Sequence, residues 1–367
     1  MISMISPSRL AKRWLMVGSA LSAALFVGLG SARAQAVAVP PYVLTGFTGV
    51  APSGATQPDD LSVSADGASL WIDYGNGACT TGTGCPSGVP ISSNVVEYNI
   101  GTRAVVLNVS IPGHVDGLKI NPRTGDVWAT ENEDGNPTLT VVNPKTGKFK
   151  TYTFDSSLPF DGGMDDLVFS GKNSKNLYIV MSSQSAISAP VIAQFSAGLK
   201  KTNTKLTSTL SGDPGTVWNV VTNSAETGDM IGDPDSMTID PAGELILDNR
   251  SDLSLYVVRA PGVSNAVLRV PLTLSTSGSP MEVNDTIFTT STAGTIFITD
   301  TSSNTIYTLT KPYFPANEVY TAANKAGVVG LVDMNTGIVT PVVTRLEGPH
   351  GLAFSPLSVA IAPVTTK

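Results

Sequence analysis

The chain has 367 residues, 14% of them charged, with two cysteines and two histidines and a net charge of −7. An acidic balance of this kind argues against nucleic-acid and anionic-membrane partners and favours cations. Glycine (35) and proline (25) are frequent, and short apolar runs alternate with turn signals such as ADG, RTG, KTG, PAG and NTG, which is the texture of an all-β chain.

Residues 1–34 combine a basic start (Arg9, Lys12, Arg13), the apolar run LMVGSALSAALFVGLG and a small-residue exit at Ala32-Arg33-Ala34. This predicts a secretory signal cleaved near Gln35, with a membrane anchor as the weaker alternative because the run is short for a bilayer. Removing four basic residues and no acid takes the exported chain from −7 to −11. A periplasmic or secreted location follows, with no membrane span after cleavage.

Beyond the signal, PYVLTGFTGV (Pro41 to Val50) reads as an unclaimed strand. The first copy of a repeat then begins at Pro58, PDDLSVSADG, followed by the apolar run SLWIDYG. Cys79 and Cys85 sit next, in ACTTGTGC. Two close thiols in an exported chain predict a disulfide; the rival, a zinc pair, lacks neighbouring ligands.

The second copy opens VDGLKINPRTG at Val115 with DVWATEN behind it, then a hairpin from Thr138 with a Thr-Gly turn. MDDLVFSGKNSKN at Met164 precedes NLYIVMSS, and PDSMTIDPAG at Pro234 precedes ELILDN. VNDTIFTTSTAG at Val283 precedes TIFITDTS, and a second hairpin starts at Val328. PHGLAFSPLS at Pro349 precedes SVAIAPV, which is the least clear second strand.

Six copies in one register, 49 to 70 residues apart, predict a six-bladed β-propeller occupying residues 35–367 as a single domain. A large β-sandwich and a β-helix are the competing architectures, and seven blades the competing count. The last copy leaves room for about two strands, so the strand at Pro41–Val50 is expected to complete the final blade and close the ring, covering edge strands.

Innermost strands place equivalent residues around a central tunnel, so Asp59, Asp116, Asp165, Asp235, Asn284 and His350 should converge. Four neighbouring carboxylates cannot all ionise without help, because like charges raise one another's pKa. Oxygen ligands suit Ca²⁺ first, then Mg²⁺, whereas His350 is more at home on Mn²⁺ or Zn²⁺. The alternative is that these residues cap strand starts or hold buried water. Ends of the second strands, Asp73, Glu131, Asn249, Arg250 and Asp300, are expected to form a second tier of the pocket. Trp71 and Trp128 are expected to pack between blades.

PDSMTIDPAGELIL resembles the blade motif P-D-G-M-x-x-D-x-x-G-x-L-W of the senescence marker protein/gluconolactonase/luciferin-regenerating enzyme family, six-bladed propellers with a central divalent metal. The paraoxonases are more distantly similar. The resemblance implies Asp59, Asp116, Asp165 and Asp235 as metal ligands, in positions where the family has Glu, Asn, Asn and Asp. Ser236 replaces the family's glycine after the fourth ligand, and His114 stands where the family has a substrate-holding arginine. VNDTIFT looks like the family's N-D-G-x-V-D segment but falls in another blade.

On this reading Asp59, Asp116, Asp165, Asp235 and Asn284 hold a divalent ion, His350 lines the pocket, and Asp165, Asp116 or His114 serves as general base. A metal polarising a carbonyl predicts hydrolysis of a small lactone or ester. A non-catalytic binding or scaffold propeller and a lyase similar to streptogramin lyases or strictosidine synthases are the alternatives. The chain has no G-x-S-x-G, H-E-x-x-H, P-loop or dinucleotide motif.

Overall fold

The computed structural model describes residues 35–47, 51–155, 163–170, 176–182, 186–195, 199–228, 231–259 and 266–356. The expected signal segment, the end of the N-terminal strand at 48–50 and the run SVAIAPV at 358–364 lie outside these residues. Among the described residues no helix is long and apolar enough to cross a membrane.

Short strands separated by glycine turns form six mainly antiparallel sheets, as expected for a six-bladed propeller. Blade 1 runs Pro58–Val63, Ser69–Tyr74, Ser92–Asn99 and Val105–Pro112 from the axis outward. Blade 2 runs Val115–Ile120, Val127–Glu131, Thr138–Val142 and Phe149–Thr153, and blade 3 Met164–Ser170, Asn176–Met181, Pro190–Phe195 and Leu206–Ser211. Hairpin turns depend on glycines in the left-handed region, such as Gly147 (φ 66°) and Gly337 (φ 67°).

Blade 4 starts from Pro234–Ile239 and carries an addition the sequence did not announce. The hairpin Thr216–Asn219/Ser224–Thr227 joins its outer strand Val267–Pro271 through a parallel pairing, Trp218 opposite Leu268.

Blades 5 and 6 are interleaved, which corrects two assignments. TIFITD (Thr295–Asp300) is not the second strand of the fifth copy; it pairs with the sixth inner strand Pro349–Ser355, Phe297 opposite Ala353. The fifth inner strand Asp285–Phe288 pairs instead with Val319–Ala323, Asp285 opposite Ala322. Blade 6 therefore takes its second and third strands, Thr295–Asp300 and Thr305–Thr310, from upstream, so SVAIAPV is not needed as its second strand.

The N-terminal strand Val43–Gly46 completes blade 6 by pairing with Thr305–Thr310, and Val37–Ala38 adds to blade 5 against Ile338–Thr344. Closure thus joins the two ends of the chain, as anticipated. Sharing strands between the last two blades adds a second fastening, because neither sheet can separate without breaking the other's connections.

Hydrophobic packing lies between the blades. Trp71 is buried with Val95, Ile111, Leu118 and Val142, joining blades 1 and 2. Trp128 packs edge-on against Phe169 at 5.2 Å, joining blades 2 and 3. Phe47, Phe297, Leu61 and Tyr98 seal the closing interface between blades 6 and 1.

Candidate metal and substrate site

Period-two alternation would send successive inner-strand residues to opposite faces. A bulge changes this in blades 1, 2, 3, 4 and 6: Pro58 pairs with Tyr74 but Leu61 with Ile72, so Asp59 and Asp60 together stand against one residue. The same shift occurs at Asp165-Asp166 and at Asp235-Ser236. Two tiers of polar groups therefore face the axis.

All six residues of the sequence column, Asp59, Asp116, Asp165, Asp235, Asn284 and His350, line one axial cavity of about 230 Å³. His114 and Arg250 line it too, as do Glu133, Thr301 and Asn324, which the sequence reading did not pick out. Among the described residues its lining contains no aliphatic side chain and no Phe, Tyr or Trp.

Pairings within the upper tier are specific. His350 Nδ1 lies 2.8 Å from Asp59 Oδ1, and His114 Nδ1 lies 2.7 Å from Asp116 Oδ1. Arg250 spans Asp235 (3.3 Å) and Glu282 (3.2 Å). The Asn284 amide donates to Asp235 Oδ2 at 3.2 Å, while its carbonyl oxygen accepts the Asn324 N–H at 2.9 Å. Asn284 is therefore already engaged as a bridge.

Electrostatics follow from burial and crowding. Burial would lower both histidines, but the adjacent carboxylates win, taking His350 to about 10 and His114 to about 9. Burial opposes ionisation of Asp59, yet the His350 charge holds its carboxyl below the usual range. Asp116 rises to about 6, chiefly through burial, against the pull of His114. Burial and neighbouring acids push Glu133 to about 8 and Asp165 well above the ordinary value. Asp235 is raised by burial despite His350 and Arg250.

His114, Asp116 and Glu133 offer ligand atoms within 4.8 Å of one another. Among the described residues, Asp116 Oδ2 and Asp165 Oδ1 are buried without a hydrogen-bond donor. Lone pairs left in this condition are costly, and a cation among them removes the penalty. The donor set fits a divalent ion: carboxylate oxygens suit Ca²⁺ and Mg²⁺, and the imidazole admits Mn²⁺ or Zn²⁺.

The lower tier is a second group the sequence reading missed. Asp60 accepts the N–H of Leu118 (2.8 Å), Asp166 that of Met237 (3.1 Å) and Asp285 that of Leu352 (2.6 Å), so each odd blade clasps the next even one. Even blades leave space with Gly117, Ser236 and Gly351. Lys119 sits between Asp60 (2.7 Å) and Asp166 (2.9 Å). Asp285, with burial and Asp60 acting on it, is pushed up to about 7. The doublets Asp-Asp, Asp-Asp and Asn-Asp in odd copies, against Asp-Gly, Asp-Ser and His-Gly in even ones, were the available signal.

Four expected pocket residues, Asp73, Glu131, Asn249 and Asp300, lie outside the cavity lining, Asp73 being fully buried at the end of its strand. Glu131 is buried, its carboxylate accepting the Thr138 hydroxyl. Asn249 accepts the Asp233 N–H at 3.2 Å and donates to Asp252. Asp300 accepts the N–H groups of Glu347 (2.9 Å) and Gly348 (2.8 Å). Placed at second-strand ends, Asn249 and Asp300 bracket the loops leading into the inner strands. The expected Cys79–Cys85 disulfide is present, which accords with an oxidising compartment.

A scan against protein-family models finds no match, and a search of curated proteins finds none either. Solved structures are similar to the chain at low identity and with TM-scores below 0.5. The periplasmic gluconolactonase of Pseudomonas aeruginosa is 10% identical, with a TM-score of 0.44, covering 82% of this chain and 88% of its own. Virginiamycin B lyase from Staphylococcus aureus is 14% identical, with a TM-score of 0.45, covering 86% and 96%. A protein of unknown function from Bacteroides caccae is 10% identical, with a TM-score of 0.47, covering 81% and 86%.

Proposed function

We propose that this protein is an exported hydrolase of a small, hydrophilic lactone or ester, dependent on a divalent cation held by Asp116 and Glu133, with Asp165 beside it, unliganded, as general base. The observation carrying this reading is the pair of buried, donorless oxygens, Asp116 Oδ2 and Asp165 Oδ1, on a cavity that also holds the His350–Asp59 pair. When bound, the cation supplies Lewis acidity toward an acyl carbonyl.

The chain's own groups divide the proton work. Asp165, whose pKa is raised by burial and by Glu133, is a strong base once ionised and takes a proton from water as the hydroxyl adds to the acyl carbon. His350, kept as imidazolium by Asp59, donates a proton to the departing alkoxide as the acyl C–O bond breaks. His114 is an imidazolium at neutral pH, so its role moves from base to orienting Asp116. Arg250, Thr301 and Asn324 offer hydrogen bonds to a polar substrate at the rim. An acid-rich lining repels polyanions, so a nucleic-acid ligand is not part of this reading.

Elemental analysis followed by a lactone and ester panel tests it. One divalent ion per chain is expected, with turnover lost in EDTA and reduced about 100-fold or more in Asp165→Asn, the scale of a lost general base. Products should gain one water by mass spectrometry, whereas an isomeric linear product would identify a lyase. Full turnover in the metal-free protein would overturn the proposal. No turnover, with a melting temperature that falls on chelation, would leave a cation-fastened binding protein.

A further inference from the structure

Residues 75–91 of blade 1 connect two strands with a run rich in Gly, Thr and Pro, closed on itself by Cys79–Cys85. This loop leans on blade 2, where the segment 132–136 carries Glu133. Asp134 N–H donates to Thr80 O (3.2 Å) and Asn136 N–H to Thr81 O (3.0 Å), while the Thr80 hydroxyl donates to Asp134 Oδ2 (2.5 Å). Contact is close enough to require glycine on both sides. A Cβ at Gly82 would come within 2.6 Å of the Asn132 side chain, and one at Gly135 within 2.6 Å of Thr81 O.

The same loop begins at Gly75, where a Cβ would stand 2.8 Å from His114 Nε2. On its far side, Glu133 has its backbone against Gly163, at which any Cβ would overlap it. Glu133 is thus held between the disulfide loop of blade 1 and the entry to the inner strand of blade 3. Asp116 and Asp165 project from inner strands, whereas Glu133 projects from a loop, so its place depends on what that loop rests against.

We propose that the Cys79–Cys85 loop is the positioning element of the cation cluster and acts through Glu133. This rests on the reading that Asp116 and Glu133 hold the ion. A long connection with few apolar anchors samples many conformations unless cross-linked. With the bridge intact, Thr80 and Thr81 present fixed partners to Asp134 and Asn136; without it, Glu133 must be ordered when the ion binds.

Calorimetric titration with Mn²⁺ of the wild type, Cys79→Ser/Cys85→Ser, Glu133→Gln and the triple variant tests the proposal. Loss of the bridge should weaken binding about tenfold, as for outer partners of metal ligands. In the Glu133→Gln background the same loss should change affinity less than twofold, because the path through Glu133 is already gone. Wild-type affinity in the serine variant, or an equal tenfold loss in both backgrounds, would overturn the proposal.

Thr80→Val, which keeps the bridge and removes the hydroxyl bond to Asp134, repeats the cycle if the serine variant does not fold. Should the wild type bind no Mn²⁺, the cation reading fails while hydrogen exchange of metal-free protein still decides the positioning claim. The Asp134 and Asn136 amides should exchange faster in Thr80→Val, and equal protection would refute it.

Discussion

Removal of the cation should make stability fall as pH rises. A carboxyl whose folded pKa is above its unfolded one holds more protons in the folded state between the two values, so the folded state loses stability through that window. Asp116 moves from 3.8 to about 6, burial being the main cause, which costs about 3 kcal/mol once it is ionised. Glu133, at about 8, extends the decline, and its cost overlaps with that of Asp116 because each feels the other's charge. The raised histidines act in the same direction: their stabilisation is complete below 6.5 and is lost as pH climbs through about 9 for His114 and about 10 for His350.

A divalent ion reverses the carboxylate part, since it favours the ionised ligands and binds more tightly as they deprotonate. For a domain of this size the melting entropy is about 0.7 kcal/mol/K, so about 3 kcal/mol is about 4 °C. Scanning calorimetry at pH 5, 6, 7 and 8, with EDTA or with millimolar Ca²⁺, should show a declining EDTA series and a calcium gap widening to at least about 4 °C at pH 8. A flat or rising EDTA series, or a gap no larger at pH 8 than at pH 5, would refute this electrostatic account of the cavity.

Lys119→Met should destabilise the protein by about 3 to 5 kcal/mol in urea melts, because Asp60 and Asp166 would face each other without their shared ammonium; a loss under 1 kcal/mol would show that the lower tier needs no internal cation. Gly117→Ala should cost at least about 1 to 3 kcal/mol and weaken Ca²⁺ uptake, since the new methyl would overlap the Asp165 carbonyl and approach Asp166 Cα to 2.7 Å. Unchanged melting and titration curves would show that the inner strands of blades 2 and 3 can part at that point.

The column from Asp59 to His350 was legible because a propeller repeats its inner strand, and equal positions in a repeat meet at the axis. Its order around the tunnel and the nearness of His114 follow from that alone. Trp71 and Trp128 were legible for the same reason, as matching positions on second strands. Glu133 was not, because it stands on a loop and belongs to no repeating column. Asp60 and Asp166 escaped because strict alternation assigns them to the opposite face and the bulges turn them inward, and Asp285 escaped because the repeating column stopped at its neighbour Asn284.

Local pattern therefore determined the strands, their glycine turns, the count of blades and the residues of the upper tier, all of which depend on short-range sterics and a regular period. Pairing between distant strands was decided by tertiary structure. Thr295–Asp300 has the same apolar alternation whether it follows the fifth inner strand or joins the sixth, and what placed it was the closure of the ring, in which the C-terminal copy supplies one described strand and needs three from elsewhere. The bracket roles of Asn249 and Asp300, and the staple on Glu133, likewise come from loops meeting across blades, a contact that has no period to reveal it.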